Sequence, residues 1–144
     1  MLQLRAVGPG IAVAPQIAPE DAAALADAGF ALVVNNRPDS EDAGQPEGAA
    51  VRAAVEAAGL RYVEIPVTHA GFSYPQVTAM ADALRQADGG VLAYCRSGTR
   101  SINLWALARA SMGDDPEALI AQAGNAGYDL GHLRPLLDQV RPAA

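Results

Sequence analysis

The 144-residue sequence lacks several features, and each absence excludes a class of protein. It has no lysine and a net charge of −6, a balance that argues against general binding to nucleic acid. No apolar run approaches the roughly 18 residues that a membrane span needs, and the N-terminal stretch does not resemble a secretory signal. A single cysteine cannot form an internal disulfide, which fits a reducing compartment. We therefore expect a cytoplasmic protein that binds neither nucleic acid nor membranes.

The residues that are present indicate one α/β domain over residues 1–144. Hydrophobic residues make up 51% of the chain, enough for a substantial core. Short β-branched runs alternate with alanine-rich segments of helical character. This alternation predicts a three-layer sandwich, in which a mainly parallel central sheet is flanked by helices.

The predicted elements place several loops at one edge of that sheet. Strands are predicted over residues 11–15, 30–36, 60–67 and 90–94. Helices are predicted over residues 19–29, 47–59, 74–87, 101–113, 114–124 and 130–140. Ser73 and Gln76 have the spacing of a capping box at the start of the third helix. Ligands of such sheets bind beyond the carboxyl ends of the strands, where NNRPD, PVTHAG and CRSGTRS are expected to meet.

The loop CRSGTRS, residues 95–101, carries the strongest chemical signal. Gly98 permits a tight bend, and the main-chain N–H groups of residues 96–101 can then point inward, as in known anion sites. This field, together with Arg100, favours the thiolate form of Cys95, which would be a nucleophile. Arg100 can hold two anion oxygens through its planar fork. The alternative is an inert buried cysteine, but the two arginines of this loop are not core material.

The side chains of the same loop are candidates for substrate binding. The Ser101 hydroxyl is expected to hydrogen-bond the sulfur. The other candidates in the loop are Arg96, Ser97, Gly98 and Thr99.

The segment YCRSGTRS resembles the active-site loop shared by cysteine-dependent phosphatases and rhodanese-type sulfurtransferases. The wider resemblance, over residues 8–132, is to the phosphatase-like domain of bacterial beta-lactamase-hydrolase-like proteins. It is carried by IAPEDAAALADAGFALVVNNRPDSEDAGQPE, AAGLRYVEIPVTHAGFSYPQV, VLAYCRSGTRSINLWALA and AGYDL. The resemblance implies a tyrosine-phosphatase-like fold, alone or fused to a metallo-hydrolase-type domain. Members of this family are described both as phosphatases and as sulfurtransferases.

Two departures from the phosphatase pattern favour sulfur transfer. The phosphatase pattern has five residues between cysteine and arginine, whereas four, residues 96–99, separate Cys95 from Arg100, as in rhodanese-type loops. Phosphatases of this fold also protonate the leaving oxygen with an aspartic acid. The corresponding stretch, IPVTHAGFS, contains no carboxylate, and His69 is its only titratable residue. Sulfite leaves thiosulfate without such an acid.

Three functions therefore stay open, with sulfur transfer as the main expectation. Cys95 would take sulfur from a small anionic donor such as thiosulfate and hold it as a persulfide, while Arg100 steadies the charge. The alternatives are hydrolysis of phosphate esters through a phosphocysteine, and an inactive module that only binds anions or a partner. Arg37 and His69 could line the pocket, although Arg37 could instead pair with Asp39.

Cofactor and partner expectations follow from the same residues. Two histidines and one cysteine, far apart in sequence, have no metal-ligand spacing, so neither a metal nor a cofactor is predicted. A metallo-hydrolase-type enzyme of sulfur metabolism is a partner that the resemblance implies.

Overall fold

The computed structural model describes residues 2–142 of the chain, which form a five-stranded sheet with helices on both faces. The strands are β1 (Arg5–Gly8), β2 (Ile11–Ala14), β3 (Phe30–Asn35), β4 (Arg61–Glu64) and β5 (Gly90–Tyr94). The helices are α1 (Ala22–Asp27), α2 (Gly48–Ala57), α3 (Tyr74–Gln86), α4 (Thr99–Ser111), α5 (Pro116–Asn125) and α6 (Arg134–Val140). Within residues 2–142, no helix is long and apolar enough to cross a membrane.

The strand order is β1-β2-β5-β3-β4, and every neighbouring pair is parallel except β1 with β2. Parallel neighbours need crossover connections, which the helices between the strands supply. The carboxyl ends of β2, β5, β3 and β4 therefore lie at one edge, with β5 in the centre of the sheet. The mainly parallel α/β sheet that the sequence predicts is confirmed.

Alternation of side chains along the central strands builds two apolar layers. On β5, Val91 and Ala93 pack into the layer covered by helices α3 to α6. Leu92 and Tyr94 point to the opposite face, where α1 and α2 pack. Both layers are continuous clusters of buried residues, so the chain is a three-layer sandwich, as the sequence predicts.

Most element boundaries fall within two or three residues of the predicted ones, and the differences have physical causes. The capping box at α3 is confirmed, since the Ser73 hydroxyl accepts from the Gln76 N–H and the Gln76 side chain accepts from the Ser73 N–H. Strand β1 was not predicted, because four half-exposed residues give little hydrophobic period. Helix α4 begins at Thr99 rather than at residue 101, directly after the left-handed Gly98.

Candidate active site

Loops from the carboxyl ends of the four parallel strands meet at one edge of the sheet. The loop after the central strand β5 comprises residues 95–98, which we name the cradle. It is flanked by the loop after β3, residues 36–47, which we name the carboxylate loop, and by residues 65–73 after β4. The Val67 carbonyl and the Glu41 carboxylate both accept hydrogen bonds from Arg100, the second residue of α4. The structure thus brings the three predicted loops together.

The cradle folds back on the sulfur of Cys95. The Gly98 N–H donates to the Cys95 sulfur, with an N···S distance of 3.1 Å. Gly98 has a φ of +90°, a conformation that side chains rarely adopt, and helix α4 starts at the next residue. Cys95 is fully buried, yet it belongs to neither apolar cluster. The sulfur therefore lies beside a main-chain donor and near the positive end of a helix.

Arg100 is oriented by three hydrogen bonds that leave one edge of its guanidinium open. Nη1 donates to Glu41 Oε2 at 2.7 Å and to the Val67 carbonyl at 2.8 Å, and Nη2 donates to Glu41 Oε1 at 2.8 Å. The Nε–H and the second Nη2–H have no oxygen or nitrogen acceptor within the described residues, and the Cys95 sulfur is a weak acceptor for this guanidinium. These two groups form a planar fork that fits two oxygens of an anion. Glu41, and to a smaller extent the nearby Cys95 sulfur, raise the pKa of Arg100.

Glu41 is the functional residue that sequence reasoning missed. Hydrogen bonds and charge from Arg100 and Arg37 lower its pKa from 4.5 to about 2, against the opposing effect of burial. At neutral pH the carboxylate is therefore ionised and cannot donate a proton. The available signal was the position of RPDSEDAGQPEG, a carboxylate-rich loop that leaves a strand end at the same edge as Cys95.

Arg37 supports Glu41, and each of its three nitrogens donates to a side chain of the described residues. Its side chain is only 4% exposed, and its Nε donates to Glu41 at 2.9 Å. Its Nη1 donates to Gln16 and its Nη2 to Asp42. The alternative that Arg37 pairs with Asp39 is wrong, because Asp39 accepts from the Gly48 N–H at the start of α2.

Three further predicted residues lie at the rim of the cradle. Arg96 is exposed, and its Nε lies 3.3 Å from Asp42 Oδ2. The exposed Ser97 hydroxyl donates to the Thr99 hydroxyl at 3.0 Å.

Ser101 is placed differently from the expectation, whereas a role of His69 in the pocket stays a prediction. Ser101 is fully buried, but its hydroxyl has no hydrogen-bond partner in the described chain, so the expected bond to sulfur is not formed. Because α4 begins at Thr99, Ser101 already lies inside the first turn rather than at the helix start. His69 is exposed on the loop after β4.

Tyr128, between α5 and α6, is a second residue that the site predictions missed. Its hydroxyl donates to the Ser97 carbonyl at 3.1 Å, and a Cβ built at Gly98 would collide with it. The segment AGYDL contributed to the family resemblance but gave no chemical signal of its own. Tyr128 contacts the cradle from 31 residues further along the chain, a distance that no local pattern reveals.

Comparisons with known proteins agree with this architecture. The family model described as "Beta-lactamase hydrolase-like protein, phosphatase-like domain" matches residues 3–112. A beta-lactamase hydrolase-like protein of Agrobacterium fabrum is 36% identical over 121 residues, which are 83% of this chain and 28% of that protein. The chain thus spans little more than a quarter of the length of this curated relative.

Solved structures give the same result for the fold. A crystal structure of a candidate phosphatase from Neisseria meningitidis matches with a TM-score of 0.81 and 34% identity, covering 94% of this chain and 96% of that one. The active form of Tk-PTP matches with a TM-score of 0.72 and 19% identity, covering 95% of each chain. The second likeness, at this identity, supports the fold alone. The names of these relatives support the phosphatase alternative better than the sulfurtransferase expectation, which none of them confirms.

Proposed function

This chain belongs to the phosphatase-like domain family of the beta-lactamase hydrolase-like proteins, and on that premise we propose that it transfers sulfur from a small anionic donor through Cys95. In this proposal Cys95 is the nucleophile and Arg100 binds the anion. The cradle and the start of α4 supply main-chain N–H groups that steady the negative charge.

The observation that carries the proposal is that neither residues 65–73 nor Glu41 offers the cradle a protonated carboxylic acid. The loop that supplies the Val67 carbonyl to Arg100 contains no carboxylate over residues 65–73. The carboxylate that does reach Arg100, that of Glu41, stays ionised because its pKa is about 2. A phosphate monoester needs acid help for a poor leaving group, whereas sulfite leaves as a stable anion. Sulfur transfer therefore fits the site better than general phosphate-ester hydrolysis.

Sulfur transfer needs only the Cys95 thiolate, the donor and a thiolate acceptor. The Cys95 thiolate attacks the outer sulfur of thiosulfate, the new S–S bond forms, and the old S–S bond breaks with its electron pair leaving on sulfite. The product is a persulfide anion on Cys95 that carries a single negative charge. A thiolate acceptor then attacks the outer sulfur of that persulfide, and the Cys95 thiolate is released.

The size of the site also supports a small donor. Four residues separate Cys95 from Arg100, and the cradle turns directly into α4 at Thr99. The sulfur itself is fully buried, so a donor must bring its reacting atom close to the main chain. A small anion meets this requirement more readily than a bulky phosphorylated side chain.

Phosphate-ester hydrolysis is the second candidate, because the solved relatives include a candidate phosphatase that is 34% identical over nearly the whole chain. The same nucleophile would form a phosphocysteine, and the Arg100 fork would bind two phosphoryl oxygens. Without a carboxylic acid from residues 65–73 or Glu41, we expect such an activity to be confined to esters with acidic leaving groups, such as aryl phosphates.

Mass spectrometry of the intact protein after thiosulfate treatment tests the proposal. We expect a gain of one sulfur atom on wild type, reversed by dithiothreitol, and no gain on Cys95→Ser. Aryl phosphate hydrolysis by wild type but not by Cys95→Ser, with no persulfide formed, would establish the phosphatase instead. If both assays are blank while sulfate raises the melting temperature, the chain is an anion-binding module.

The curated relatives are much longer than this chain, which bears on a possible partner. The matched segment makes up about 28% of the Agrobacterium protein. We propose that a metallo-hydrolase-type enzyme of sulfur metabolism, fused or separate, acts on the same sulfur as this chain. Faster loss of the Cys95 persulfide when such an enzyme is added would support this partnership.

A further inference from the structure

A single peptide group connects Tyr128 to the reactive sulfur. The Tyr128 hydroxyl donates to the carbonyl oxygen of Ser97, with an O···O distance of 3.1 Å. The Gly98 N–H, which belongs to the same peptide group, donates to the Cys95 sulfur at 3.1 Å. In a trans peptide the carbonyl and the N–H point in opposite directions within one plane. A force that holds the carbonyl toward Tyr128 therefore aims the N–H at the sulfur.

The conformation of Gly98 makes this external hold important. Gly98 has a φ of +90° and no Cβ. The Ser97–Gly98 peptide can therefore rotate more freely than a peptide that precedes a residue with a side chain. A Cβ at this position would also collide with the Tyr128 hydroxyl, so the glycine leaves the space that the hydroxyl occupies.

Tyr128 is itself fixed from a third part of the chain. The Arg5 guanidinium, on β1, lies 5.6 Å from the centre of the Tyr128 ring, a cation–π distance. The same side chain donates to the Ala126 carbonyl at 3.1 Å. Burial raises the pKa of the Tyr128 phenol, so the hydroxyl keeps its proton and remains a donor at neutral pH.

We propose that Tyr128 is a positioning residue that sets the reactivity of Cys95 by orienting the Ser97–Gly98 peptide toward the sulfur. This inference rests on the proposed role of Cys95 as the nucleophile, whichever group is transferred. Tyr128 does not contact the reacting atoms in this scheme; it acts through the peptide. Loss of the hydroxyl leaves the peptide free to rotate and the sulfur without its main-chain donor.

The test uses Tyr128→Phe, which keeps the ring and its contact with Arg5. The chain has one cysteine, so alkylation by iodoacetamide reports on Cys95 alone. We expect the alkylation rate at neutral pH to fall about fivefold, the effect of one hydrogen bond. With thiosulfate, kcat should fall by a similar factor while KM changes less than about twofold. The Gly98 amide resonance should move upfield as its hydrogen bond to sulfur weakens.

The control is Tyr74→Phe, since Tyr74 is exposed and its hydroxyl accepts only from Gln139 in the described chain. This variant should alkylate at the wild-type rate. A second variant, Arg5→Gln, loosens the turn around Tyr128 but keeps the hydroxyl. Because Arg5 supports Tyr128, this variant should slow alkylation by no more than Tyr128→Phe does. If it lowers the melting temperature and slows alkylation more than Tyr128→Phe does, general loosening explains the effect and the inference is wrong.

Failure of this inference and failure of the proposed function give different results. An active wild type whose alkylation rate is unchanged in Tyr128→Phe overturns the inference and leaves the function standing. A wild type that transfers no sulfur and hydrolyses no ester, but whose Cys95 alkylates about fivefold faster than in Tyr128→Phe, overturns the function alone. A Cys95 that resists alkylation even in wild type and forms neither a persulfide nor a phosphocysteine overturns both.

Discussion

The cradle and the carboxylate loop both adjoin the start of α4 but are held in place by different forces. The cradle runs from the central strand β5 into α4, whose residues are buried on nearly every side from Ser101 to Ala108. The carboxylate loop instead is held by ion pairs, with Arg37 bound to Glu41 and Asp42. Apolar packing responds little to pH and salt, whereas ion pairs respond to both.

This difference separates two tasks that the site must perform. The nucleophile has to stay in one place, and packing of α4 against α3, α5 and α6 fixes the end of the cradle. The guanidinium of Arg100 has to present its Nε–Nη2 edge to the anion. Glu41 orients it by accepting hydrogen bonds from Nη1 and Nη2 on the other edge. We therefore expect substitutions in the cradle to act at every pH, and those in the carboxylate loop to act in a pH- or salt-dependent way.

The largest effect is expected from Gly98→Ala, which changes the shape of the cradle. The new Cβ meets the Tyr128 hydroxyl in a backbone conformation with φ of +90°. We expect persulfide formation to slow at least about 100-fold, since a displacement near 1 Å has that cost, at all pH values between 5 and 9.

Gly113→Ala is the matched control for Gly98→Ala. Gly113 also has a positive φ, +105°, but nothing lies within 4 Å of a Cβ built there. Both variants should lose about 1–3 kcal/mol of unfolding free energy through backbone strain. Equal sulfur-transfer rates in the two variants would show that the shape of the cradle does not matter to the reaction.

The second-largest effect is expected from Glu41→Gln, which removes a charge from the carboxylate loop. The pKa of Glu41 is lowered from 4.5 to about 2 in the folded protein. A depressed pKa stabilises the fold above pH 4.5, and that stabilisation disappears as the pH falls toward 2. Denaturant unfolding should therefore show a difference of about 1–2 kcal/mol between wild type and Glu41→Gln at pH 7, after allowance for solvent screening, and this difference should shrink toward zero near pH 2.

Glu41→Gln should also weaken the reaction, because Arg100 loses the group that orients it. We expect about a tenfold lower kcat/KM for thiosulfate, the effect of a lost charged hydrogen bond. Glu56→Gln is the control, since the Arg52–Glu56 pair is more than half exposed and should contribute about 0.5 kcal/mol or less. A pH-independent stability difference for Glu41→Gln would argue against the ion-pair account of this loop.

The cradle could be predicted from the sequence better than the loops that contact it. The cradle is encoded locally: a buried strand, a glycine in a turn and a helix start stand next to one another, so Cys95, Gly98 and Arg100 could be placed from their order alone. The sheet edge could be predicted for the same reason, because strands and helices alternate with clear periods.

The partners of the cradle could not be predicted, because they come from distant parts of the chain. Glu41 lies 59 residues before Arg100, and Tyr128 lies 31 residues after Ser97. Four carboxylates between residues 37 and 47 were equally plausible partners in sequence, and only the folded loop selects Glu41. The unpaired Ser101 hydroxyl was mispredicted because the helix start was placed two residues too late.

The smallest effect is expected from Asp42→Asn. This variant tests whether Asp42 and Glu41 stabilise the carboxylate loop independently or as one network. Asp42 is 45% exposed and accepts from Arg37 at 2.8 Å, with Arg96 Nε at 3.3 Å. An exposed pair of this kind contributes about 1 kcal/mol or less, and about 1 M salt screens it. Unfolding of Asp42→Asn at low and high salt should therefore show a small difference from wild type that high salt removes.

The largely buried Glu41 should keep most of its effect in high salt, because buried pairs are screened less. If Asp42→Asn instead costs as much as Glu41→Gln and does so at both salt concentrations, the two carboxylates hold Arg37 and Arg100 as a single network. The charged loop would then be as rigid as the packed cradle that it faces.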